Sequence, residues 1–105
     1  MDSAYFVYLL RCTDGSLYTG ITTDYQRRLS EHGGKRGAKY THSHPPSHLE
    51  RVWRTSSRAL ASRLEHRLKT LTRAQKEQLV RDASQLAPLL AHHIDIAQYR
   101  EEPLP

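Results

Sequence analysis

The 105-residue chain contains one cysteine, one tryptophan, one phenylalanine, one methionine and no asparagine. Its lone thiol, Cys12, can form neither an intrachain disulfide nor a Cys-rich zinc site. Cys12 also stands in an apolar run, a setting that raises a thiol pKa and argues against a nucleophile. No apolar run approaches the ~20 residues that cross a bilayer, which excludes a helical membrane span. No N-terminal run has the basic, apolar, small-residue order of a secretory leader. The expectation is a cytoplasmic protein with no membrane and no disulfide partner. Glycine-rich nucleotide loops are lacking too. His42, His44 and His48 surround Pro45-Pro46 without a fourth ligand at zinc-site spacing, so no zinc centre is expected.

What the chain has is positive charge and tyrosine. Sixteen Lys and Arg oppose eleven Asp and Glu, for a formal net charge of +5. The imbalance is concentrated between Arg27 and Lys76, where thirteen basic residues face three acids, Glu31, Glu50 and Glu65. A field of that sign and density attracts polyanions, of which nucleic acid is the commonest in a cytoplasm. The competing reading is a charged surface that serves solubility. The length fits one compact domain, which buries roughly two thirds of its unfolded surface and needs no covalent staples.

Ala4 to Cys12, AYFVYLLRC, is nearly all apolar and rich in strand formers, consistent with a strand covered on both faces. Thr13-Asp14-Gly15 reads as a three-residue hairpin loop with glycine in the left-handed conformation. That loop pairs Cys12 with Ser16, so Tyr8 faces Gly20, Leu10 faces Tyr18, and the phenols of Tyr8 and Tyr18 share one face of the sheet. A two-residue turn at Asp14-Gly15 would put them on opposite faces. Thr23 or Asp24 caps a helix expected to run to His32, stopped by Gly33-Gly34. Gly33 to Ser47 reads as a basic surface loop, and about His48 to Arg54 as a third strand.

Ser56 or Ser57 caps the next helix, whose Leu60, Leu64, Leu68 and Leu71 fall in one arc. Thr72-Arg73-Ala74-Gln75 is a capping-box sequence, predicting a helix to about Ala87, before Pro88. LLAHHI reads as a last short helix and REEPLP as a frayed tail.

On the helix from Asp24, residues Tyr25, Arg28, Leu29 and His32 share the inner face at i, i+3, i+4 and i+7. A guanidinium on an inner stripe needs an anionic partner, and a substrate phosphate is one. A structural acid, or an escape to solvent along the stripe edge, is the alternative. Glu65 stands one step beyond the leucine arc as the only acid between Glu50 and Glu77. One carboxylate at the rim of a basic patch suits a divalent cation that bridges it to phosphate. Its competing role is an i,i+4 pair with Lys69. Six of the eight aromatics are tyrosine. Tyr8 and Tyr18 beside Gly20, where no side chain blocks approach, and a nearby cation that favours phenolate, form a coherent set with Arg28.

Taken together, Phe6-Val7-Tyr8, Tyr18-Thr19-Gly20 some ten residues on, Arg28, His32 and Glu65 resemble the GIY-YIG endonuclease superfamily, particularly its small stand-alone bacterial members. The likeness runs from about Ala4 to Val80 and includes the loop GKRGAKYT and the run LKTLTRAQKEQLV. Two departures stand out: Phe6-Val7 replaces Gly-Ile in the first triplet, and Asp24 occupies a position that is often asparagine.

The resemblance implies an α+β fold, a small three-stranded antiparallel sheet flanked by helices. It places a nuclease domain over residues 1–87, with a C-terminal helix and tail, 88–105, packed on or extending from it. It implies metal-dependent hydrolysis of phosphodiesters, and the expected function is an endonuclease acting on nucleic acid, with structure-specific DNA favoured over RNA as the substrate. By position, Glu65 binds Mg²⁺ or Mn²⁺, Arg28 stabilises transition-state charge, and Tyr8, supported by Tyr18, activates or positions the water. His32 is the rival general base. Lys35, Arg36, Lys39, Arg51 and Arg54 are expected to hold the backbone without reading sequence. The alternatives are a non-catalytic nucleic-acid-binding module, and an adaptor that docks partners through Leu89, Leu90 and Ile94.

Overall fold

The structure, a computed structural model, describes residues 4–24 and 46–104. It opens with a hairpin of β1, Tyr5–Cys12, and β2, Leu17–Thr22. Gly15 takes φ +88°, and its amide donates to the Cys12 carbonyl at 2.9 Å while the Cys12 amide donates to Ser16 at the same distance. That is the loop a left-handed glycine allows, and it sets the expected register: Tyr8 opposes Gly20 and Leu10 opposes Tyr18.

β3 runs from Pro46 to Thr55 and pairs antiparallel with the other side of β1. It starts two residues earlier than expected, with proline as the first strand residue, where its missing N–H is tolerated. The sheet has four strands rather than three, in the order β2-β1-β3-β4. The extra strand, β4, is Arg100–Glu101, from a segment expected to fray. The Glu102 amide also donates to the Val52 carbonyl at 2.8 Å. Charge and proline make REEPLP look unstructured, yet the outer edge of β3 offers unpaired backbone groups to whatever reaches it.

Three helices are described. α1, Arg58–Thr70, is capped by the Ser57 hydroxyl, which accepts from the Leu60 amide at 3.1 Å. It buries Ala61, Leu64 and Leu68 fully, while Leu60 and Leu71 pack at the rim. α2, Arg73–Arg81, begins with the expected capping box between Thr72 and Gln75. It ends at Asp82, short of Ala87, because the Asp82 carboxylate accepts from the Ser84 amide at 3.0 Å and starts a 3₁₀ turn, Ala83–Gln85. α3, Leu86–Leu90, follows at once. Pro88 is its third residue, where the first turn leaves amides unpaired in any case. The helix expected beyond Asp24 and most of the basic loop lie outside the described residues.

β1 has both faces covered. Val7 and Leu9 turn toward a core with Trp53, Leu64, Leu79 and Leu90. Tyr8, Leu10 and Val52 turn the other way, with Phe6, Tyr18 and Leu49 packed against them. The tail belongs to the first core, for Ile94 and Tyr99 are buried in it. The Tyr99 hydroxyl donates to the Leu60 carbonyl at 2.6 Å. Burial of Leu90 and Ile94 removes the apolar stripe that the adaptor reading needs.

Arg11 ties the layers together. Its guanidinium donates to both Glu77 carboxylate oxygens, at 2.6 and 2.7 Å, and to Glu50 at 2.9 Å, joining β1 to α2 and β3.

Candidate active site

Register places the phenols. Tyr8 is 2 % exposed, and its ring lies across Gly20 so closely that a methyl group there would stand 2.6 Å from the ring carbon bearing the hydroxyl. Glycine is required here for space, not for an unusual backbone angle. Tyr18 sits diagonally on the same face, its ring centre 6.2 Å from that of Tyr8 and tilted by 35°, within the range of attractive aromatic pairs.

α1 supplies the opposite wall. A cleft of about 430 Å³ at the β2 edge is lined by Tyr8, Tyr18 and Gly20 from the hairpin and by Arg58, Ser62 and Glu65 from the helix. Tyr5 also lines it. Glu65 is a quarter exposed, and Lys69 stands beside it with Nζ 3.4 Å from Oε2. The carboxylate therefore has the expected i,i+4 pair and an aspect on the cleft at once.

Three of the five residues expected to carry chemistry, Tyr8, Tyr18 and Glu65, meet in this cleft. Arg28 and His32 lie outside the described residues, as do Lys35, Arg36 and Lys39. Arg51 and Arg54 sit elsewhere on the sheet. The Arg51 guanidinium is held inside the fold, donating to the carbonyls of Leu79 and Val80 at 3.2 and 2.9 Å and to Glu101 at 2.7 Å. Arg54 is exposed on the opposite face of β3.

Tyr5, Arg58 and Ser62 were not anticipated. A signal exists for the last two: Arg58, Ser62, Glu65 and Lys69 recur at i, i+4, i+7 and i+11, a polar stripe adjoining the apolar one. His48 is tied to Glu50, Nε2 to Oε1, at 3.0 Å.

Among the described residues no group of three His, Cys, Asp or Glu side chains is placed to hold a metal. A closed protein cage is therefore not offered by them. A magnesium-like ion keeps several waters and takes one or two carboxylates plus substrate phosphate. Glu65, the one carboxylate among the described residues that line the cleft, is a donor of that kind.

A model of the GIY-YIG catalytic domain matches residues 4–78. The chain belongs to the GIY-YIG family. A UPF0213 protein of Fusobacterium nucleatum is 46% identical over 77 residues, covering 73% of this chain and 77% of that protein. One from Natronomonas pharaonis is 45% identical over 82 residues, or 78% and 96% of the two chains. The solution NMR structure of a UPF0213 protein from Bacillus halodurans is 46% identical, covers 74% of this chain and 83% of its own, and has a TM-score of 0.49. In this GIY-YIG chain Tyr8 and Tyr18, with Tyr5, line the cleft inside the matched span. The family gives the domain a nuclease-type role. No helix among the described residues is long and apolar enough to cross a membrane.

Proposed function

We propose that this chain is a metal-dependent endonuclease, acting in the cytoplasm on DNA whose duplex is nicked, flapped or branched. The observation that carries the reading is the convergence of Tyr8, Tyr18 and Glu65 on one open cleft beside Arg58. Glu65 holds the Mg²⁺ or Mn²⁺, which when bound supplies Lewis-acid stabilisation of the phosphate. Tyr8 presents its phenol oxygen to the attacking water and orients it, and Tyr18 holds the Tyr8 ring in place. Arg28 meets the extra charge of the transition state. His32 is the second candidate for the group that takes the proton of the water. Lys35, Arg36, Lys39 and Arg54 attract the backbone, while the internal bonds of Arg51 give it a structural part.

Cleavage of nicked, flapped and branched DNA in Mg²⁺ or Mn²⁺ tests this. Glu65→Gln and Tyr8→Phe should each lower the rate by about 10²-fold or more, with unfolding midpoints close to that of the parent. Equal cleavage by Glu65→Gln sinks the proposal. The Lys69 contact on Glu65 favours one other reading, a binding module in which that carboxylate is structural. EDTA-insensitive binding with no cut products would select it.

A further inference from the structure

β4 sets Arg100 directly opposite Arg54 while Glu101 opposes Trp53. Like charges facing one another across a strand pair repel. Neither guanidinium has a hydrogen-bond or ion-pair partner among the described residues, and both side chains are exposed. Glu101 cannot relieve the repulsion, because it turns to the other face and pairs with Arg51 at 2.7 Å. Glu102 comes two residues after Arg100, half-buried, and is not part of the cleft described next.

That cleft, of about 550 Å³, is lined by Arg54 and Arg100 together with Ser56, Thr55, Gln98 and Tyr99, and no carboxylate side chain among the described residues contributes to its wall. The wall is fixed, since the Thr55 hydroxyl donates to the Gln98 carbonyl at 2.8 Å. Two arginines with Ser56 in the same wall make a site for a tetrahedral oxyanion, which a fork of N–H donors fits.

Position says which oxyanion. Thr22, Phe6, Arg54 and Arg100 form one row across the four strands, and Gly20, Tyr8 and Val52 form the next row on the same face. Strand and residue spacings put the Arg100 backbone roughly 12 Å from that of Tyr8, within reach of a neighbouring phosphate on a strand that enters the catalytic cleft.

We infer that Arg54 and Arg100 together clamp one backbone phosphate of the bound nucleic acid, so that the C-terminal tail contributes a phosphate contact. The inference rests on the nucleic-acid reading above. It extends it to residues beyond 4–78, the span of the family match.

The test is a salt titration of binding to a nicked duplex of about two turns, with full-length protein in EDTA so that no cleavage intervenes. Each phosphate contact contributes about 0.9 to the slope of log affinity against log salt. Arg54→Gln and Arg100→Gln should each lower the slope by about 0.9, and the double variant by no more than either alone, because one phosphate is shared. Arg81→Gln, which removes the same charge from the end of α2, should leave the slope unchanged. Additive losses, an equal loss in Arg81→Gln, an unchanged slope in Arg100→Gln, or no binding by the parent would each overturn the clamp. Cleavage in Mg²⁺ is scored separately. DNA cut with an unchanged slope refutes the clamp and spares the nuclease, and a lowered slope without cutting does the reverse.

Discussion

A methyl group at position 20 is enough to displace the Tyr8 ring, since the space it needs is already filled by the phenol. Gly20→Ala should destabilise the protein by about 1–3 kcal/mol through overpacking, read from urea unfolding. It should also cut cleavage by about 10²-fold, the usual cost of a group moved by an ångström. Retention of full activity would mean that the phenol does not need its place over the strand. Cys12 offers a second check. It is buried, and desolvation pushes its thiol pKa up, against a weaker opposing hydrogen bond from Ser16. A thiol reagent should therefore label native Cys12 only as fast as the chain unfolds. Both phenol positions are legible in the sequence, because loop length determines register and register determines which face each side chain takes. Arg58 and Ser62 are not, since polar residues on an exposed helix face blend with every other solvated position. Only their spacing from Glu65 marks them.

Elements carry the pH dependence. The Arg11 hydrogen bonds hold the Glu77 carboxyl below the ordinary glutamate range, more strongly than its partial burial raises it. A carboxylate depressed in the folded state adds stability above the unfolded pKa, about 4.3, and that contribution is lost as the pH falls below it. The urea midpoint of the parent should thus drop through this acid range, and Glu77→Gln should flatten the drop. At neutral pH the substitution should cost about 1 kcal/mol, a modest figure because the pair is partly solvated. A parallel acid profile in the variant would assign the titration to other groups. The same junction explains a boundary that periodicity misses. The leucine arc of α1 and the capping box of α2 announce themselves in sequence, whereas the end of α2 depends on Asp82 preferring a local turn to one more helical hydrogen bond.

At the scale of the whole molecule, the last helix and tail share one core with the sheet. Leu90 and Leu64 are both fully or almost fully buried in that core. Leu64→Ala and Leu90→Ala should therefore each cost about 2–5 kcal/mol and leave a single cooperative transition by far-UV circular dichroism. A separate early transition in Leu90→Ala would show the tail to fold on its own. The α+β class and the antiparallel hairpin followed from apolar runs and turn chemistry. The fourth strand did not, because two residues of backbone pairing leave no hydrophobic pattern and depend on Ile94 and Tyr99 anchoring the chain upstream.

Trp53 is the chain's single tryptophan, 2 % exposed, with Val7 opposite it on one neighbouring strand and Glu101 on the other. The indole is thus a native optical gauge of tail docking. Lifting β4 away would hydrate one flank of the ring and shift its emission to the red, so detachment of the last residues can be followed without any added dye.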